Sequence, residues 1–201
     1  MVSVDAGQAD ACRAEARKRQ ILDAAARCYR RHGFHATSMQ ELAREAKMSV
    51  GHIYHYFANK EAIIAAFIEE DVEHFREIMK RLREDNLTVA EALVAHAEEA
   101  WEDVRNPENA ALALEIHAEA SRNPKIAEMV RCADRISSDG VFELFVTDLA
   151  DRQWSPQETR ARVEILFTLY EGLFMRVIRN PQIEREPALA AFRLAVDRIL
   201  A

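Results

Sequence analysis

Two helix-start signals stand only eleven residues apart, and no other feature constrains the fold of this chain as tightly. Ser38 and Glu41 have the spacing of a capping box, in which a hydroxyl and a carboxylate satisfy each other's orphan backbone donors. Thr37 and Gln40 fit the same device one residue earlier. Ser49 then precedes Val50-Gly51-His52-Ile53-Tyr54-His55-Tyr56-Phe57, and Asn59 precedes Lys60-Glu61. The spacing predicts two short helices joined by a tight turn, then a longer one. In the second short helix Ile53 and Phe57 are four apart, so they share a face and anchor it. Leu42 and Ala46 face inward from the first, and Phe34 plugs the small core beneath.

A helix pair of this size presents one helix to the major groove of DNA. The residues at its entering end are Val50, Gly51 and His52. Gly51 permits close approach, Val50 offers an apolar contact to a thymine methyl, and His52 donates or accepts at a base edge. Tyr54 and Tyr56 carry hydroxyls suited to phosphates, with His55 between them at the backbone or the groove. Ser38 and Ser49 stand at helix N-termini, where amides and dipole favour phosphate. Met39 meets either a methyl group or the core, and Lys60 suits a phosphate.

The ordered set Thr37 to Ala43, Met48 to Phe57 and Asn59 to Glu61 resembles the DNA-binding domain of the TetR/AcrR family of bacterial transcriptional regulators. The resemblance rests on about the first quarter of the chain. It implies backbone contacts from Ser38, Tyr54, Tyr56 and Lys60, and places Val50, Gly51 and His52 at the bases. One departure is Lys47, where the family usually carries glycine between the two short helices. A side chain there costs about 1 kcal/mol if the backbone is left-handed.

Five glycines and five prolines in 201 residues predict an all-α chain of about nine helices. Residues 1–12 lack periodicity and read as a flexible tail, 13–60 as the helix-turn-helix domain and 61–201 as a larger helical domain. A first helix runs from about Arg13 to Arg31, and Gly33 stops it. Thr88 with Glu91, Asn106-Pro107, Asn123-Pro124, Ser155-Pro156, Asn180-Pro181 and Pro187 punctuate the rest.

The net charge is −7, but it is unevenly spread. Residues 1–60 hold ten Lys and Arg against six Asp and Glu, while the remainder holds seventeen against twenty-eight. A basic head on an acidic body presents one face to phosphate. Three cysteines far apart suit a reducing cytoplasm rather than a disulfide framework. No apolar run is long enough for a membrane span, and neither a metal site nor a cofactor is expected. Glu115 and His117, two apart, make a poor metal pair.

The helix from Pro156 to Arg179 is apolar on two sides. Val163, Leu166, Phe167, Tyr170, Phe174 and Val177 form one stripe; Ile165, Leu169, Gly172 and Leu173 form the other. One stripe faces the core and the other a second copy, with Leu189, Phe192, Val196 and Leu200 of the last helix completing a four-helix seam. The family resemblance implies the same homodimer, together with a double-stranded DNA operator and a small-molecule effector that releases a repressor. Candidates for the effector site are Trp101, Glu115, His117, Arg122, Phe167 and Tyr170, aromatic walls with a few polar groups. Two other classes remain open at this point. One is a DNA-binding activator controlled by a protein partner. The other is a helical carrier or enzyme with an incidental helix pair, although no nucleophile with a local base, phosphate loop or zinc spacing occurs.

Overall fold

A computed structural model describes residues 3–84, 87–105 and 107–201. Its described residues form nine α-helices: α1 Ser3–Ala36, α2 Met39–Glu45, α3 Val50–Tyr56, α4 Lys60–Glu84, α5 Val89–Arg105, α6 Pro107–Ala120, α7 Pro124–Asp148, α8 Pro156–Arg179 and α9 Arg185–Leu200. A single 3₁₀ turn, Ala150–Arg152, follows α7. None of the described helices is long and apolar enough to cross a membrane. Asn106 lies outside the described residues, as do Met1 and Val2.

Three capping boxes set the register of the fold. Ser38 and Glu41 open α2, Thr88 and Glu91 open α5, and Ser155 and Glu158 open α8. In each, the carboxylate accepts from the cap residue's own backbone N–H at 2.8–2.9 Å. Two helices start earlier than the sequence predicts. α1 begins at Ser3 rather than Arg13, so the described part of the expected tail is helical. Its alanines favour helix without supplying an apolar stripe to announce it. α9 begins at Arg185, which puts Pro187 inside the first turn, where a missing N–H costs nothing.

The chain packs into two compact units, and the division is not one cut in the sequence. The first unit comprises residues 1–69 and 111–130; the second comprises 70–110 and 131–201.

The first unit closes around Ile21, Ala25, Tyr29, Phe34, Leu42, Ile53, Ile63, Ile64 and Ile126, all buried. Gly33 interrupts α1 with φ 75 and ψ 165, a conformation that suits glycine. The residues after it are held from α6: the Phe34 N–H donates to Glu115 Oε1 at 2.7 Å. Glu119, also on α6, is completely buried. Its carboxylate meets Arg122 Nε at 2.7 Å, His35 Nε2 at 2.9 Å and Asn123 Nδ2 at 3.2 Å. A buried charge needs such a set of partners.

The second unit buries Leu93, Ala97, Trp101, Leu144, Phe145, Val163, Leu166, Val177, Leu189, Phe192, Val196 and Leu200. This corrects the expected seam. All four predicted α9 residues fill this unit's own core, because α9 packs against both α5 and α8. The outward apolar residue of α9 is Leu194, 60% exposed. The second stripe of α8 faces outward only in part: Ile165 is 52% exposed and Gly172 has open space around it, while Leu169 and Leu173 are half-buried against the unit's own core.

Candidate nucleic-acid interface

The turn between α2 and α3 sets the reading helix. Lys47 adopts φ 55, the left-handed conformation expected of a glycine at this point. The chain tolerates it because the turn is closed from both sides. Met48 N–H donates to Ala43 O at 2.9 Å, and Lys47 N–H to Arg44 O at 3.2 Å. Gln20 of α1 adds an amide hydrogen bond to the Ala46 carbonyl at 2.7 Å. The Lys47 side chain itself is exposed.

α3 is short, so its ends decide its orientation. Ser49 Oγ accepts from His52 N–H at 3.2 Å and caps the entering end. Ile53 and Phe57 are buried and tie the opposite face to the core. Outward from that anchor stand Gly51, His52, Tyr54 and His55, all exposed, with no atom near a Cβ built at Gly51. Tyr54, at 52% exposure, is the large apolar surface of this helix. Tyr56 is half-buried, its ring 5.4 Å from His52 and 5.1 Å from His55. These rings limit the rotamers available to both histidines.

The remaining predicted contacts are less free. Met39 and Val50 are half-buried against the unit's core. The Ser38 hydroxyl accepts from Glu41 N–H and donates to the Glu41 carboxylate, so its cap role occupies it. Lys60 is turned inward: Nζ donates to Phe34 O at 2.6 Å and reaches His35 O at 3.4 Å. Partial burial holds its ammonium below the ordinary lysine pKa. Sequence reading missed this clamp because its partners are carbonyls, which any residue supplies.

The six effector candidates separate. Phe167 and Tyr170 line a cavity of about 310 Å³ inside the second unit. Trp101 is buried in the same unit but does not line it. Glu115, His117 and Arg122 belong to the first unit, where Glu115 and Arg122 serve the Gly33 break and His117 is exposed. Sequence reading missed Asp71, His74, Phe75, Ile78 and Met79, which form one face of α4 along the cavity. Their spacing of three and four is legible in the chain. Among the described residues no cluster of His, Cys, Asp or Glu is arranged to hold a metal ion.

Residues 21–67 match the model of bacterial regulatory proteins of the tetR family. The HTH-type transcriptional regulator UidR of Escherichia coli K12 is 34% identical over 122 residues; the match spans 59% of this chain and 59% of that protein's length. Among solved structures, Salmonella enterica GusR superposes with a TM-score of 0.76 at 26% identity, covering 92% of this chain and 95% of that one. Bacillus subtilis FadR in complex with stearoyl-CoA superposes with a TM-score of 0.72 at 20% identity, over 90% and 96% of the two chains. The latter shows a shared fold.

Proposed function

We propose that this chain, whose residues 21–67 match the tetR family of bacterial regulatory proteins, is a cytoplasmic, homodimeric repressor released from its operator by a small molecule. Gly51, His52, Tyr54 and His55 form the outward set of a helix fixed at its cap and on its buried face, and that set carries the reading. Val50, Gly51 and His52 lie at the bases, Tyr54, His55 and Tyr56 border the backbone, and Ser38, Met39, Ser49 and Lys60 position the reader. Two readers in a dimer sit on half-sites one helical turn or a multiple of it apart. The exposed positions of the second α8 stripe, Ile165 and Gly172, support pairing through α8. Effector then binds one arrangement of the dimer more tightly and draws the population away from the operator.

Selection of bound duplexes from a random pool tests the reading. The expected result is a palindromic site with fixed half-site spacing. Recovery of no enriched sequence at low salt would overturn it. Catalysis forms no part of this reading.

A further inference from the structure

We infer that the second unit's cavity takes an uncharged, mainly apolar molecule bearing one hydrogen-bonding group. This deepens the effector-controlled reading above and rests on it for its regulatory meaning. The floor of the cavity is formed by Ile78, Ala92, Leu93, Val141, Leu144 and Leu166, all buried and all apolar. Tyr170 contributes a ring rather than a hydroxyl, because its O–H donates to the Leu93 carbonyl. Among the described residues no lysine or arginine lines the cavity, and the one carboxylate in the lining, Asp71, is exposed. An anion on the apolar floor would give up its hydration with no lysine or arginine opposite it, and a cation would find no carboxylate there. Half-buried Ser137 and His96, with exposed His74, are lining groups that can orient a hydroxyl or carbonyl, the His96 imidazole standing 5.1 Å from the Tyr170 ring. The volume lies at the small end of ligand pockets, about 300–1,000 Å³, and excludes a whole nucleotide-bearing thioester.

Phe75 sets the size limit. Its side chain, like that of Met79, lines this cavity and also an open groove bordered by Arg76, Lys80, Ile136 and Gly140. Gly140 is what lets the ring lie against α7: a Cβ there would stand 3.0 Å from Phe75 Cε1. The ring, with Met79, thus forms the partition between an apolar chamber and a polar surface, and its removal widens the opening between the two.

Calorimetry of the full chain with octanol, octanoate and octylammonium at neutral pH tests this without DNA. Octanol is expected to bind at least tenfold more tightly than either charged analogue. Ala92→Phe, which fills the floor, should abolish octanol binding; Phe75→Ala should retain it and admit dodecanol, which the wild type rejects. Thermal melting of each variant separates blocked binding from failed folding. Octanoate or octylammonium binding best, no binding of any of the three, or wild-type affinity in a folded Ala92→Phe would overturn the inference. Octanol binding that leaves operator affinity unchanged would uphold the site and defeat release by effector.

Discussion

Lys60 Nζ donates to the Phe34 carbonyl at 2.6 Å while standing 4.4 Å above the Phe34 ring. One ammonium thereby fixes the start of α4 to the chain just after the Gly33 break, and the residues before α2 are held from both sides. This makes Lys60 a structural member of the helix-turn-helix unit.

Lys60→Ala should therefore lower the stability of the protein by about 1–2 kcal/mol, the worth of a charge-assisted hydrogen bond at a partly buried site. DNA affinity should fall alike for all sequences. Chemical denaturation alongside a salt titration of binding checks both. Unchanged stability with a salt slope reduced by about one would instead make Lys60 a pure phosphate contact.

His52→Ala should relax preference at one base pair per half-site, at a cost of about 1–3 kcal/mol on the best site. Its exposed ring and the neighbouring Tyr56 define the orientation that is lost. Binding to a panel of single-base operator variants reads this out. Equal losses on specific and random duplexes would assign His52 to the backbone.

Lys47→Gly should stabilise the turn by up to about 1 kcal/mol, less the unfolded-state freedom a glycine adds. Its φ of 55 is the reason. The melting temperature of the variant is the measurement, and a clear decrease would show that the lysine side chain contributes more than the backbone loses.

Acid should weaken the protein through its capping boxes. Hydrogen bonds from Ser155 hold the Glu158 carboxyl below its ordinary value of 4.5, and Thr88 does the same for Glu91. A depressed folded pKa means that the stabilisation is fully present above the unfolded value and disappears as pH falls through the folded one. Glu158→Gln keeps a hydrogen-bond acceptor and removes the titration. Its melting temperature should decline less steeply than the wild type's below about pH 4.5. A parallel decline would place the acid sensitivity elsewhere.

Gly172→Glu should break pairing without disturbing the fold. A Cβ built at Gly172 meets nothing within 4 Å, and glutamate favours helix over glycine. Sedimentation should report a monomer with normal helical content and collapsed operator affinity. A dimer of normal stability would move the seam; a monomer that binds normally would end the two-reader mechanism.

The local devices were legible in the sequence. Ser38 with Glu41, Ser49 and Asn59 each cap the helix their spacing announced, with Asn59 Oδ1 accepting from Ala62 N–H at 2.8 Å. Ile53 and Phe57 are buried as their four-residue spacing requires. What stayed hidden depends on partners distant in the chain. Nothing near Glu115 signals that it will accept from Phe34, eighty-one residues away. The stripe on α9 was visible, but periodicity alone does not say whether a stripe faces its own core or a second copy. The cavity was hidden for a related reason: the α4 face was readable, while the gap opposite it arises only when α5, α7 and α8 assemble.

The recruitment of residues 111–130 to the first unit bears on the building of chimeric regulators. The chain passes between its units at 69/70, 110/111 and 130/131, and each passage falls inside a helix: α4, α6 and α7. A graft that exchanges the first seventy residues alone would discard the buried Glu119 and orphan its partner His35. The transferable cassette is therefore a two-piece insert, and a donor reader must bring its own α6 C-terminal turns with it.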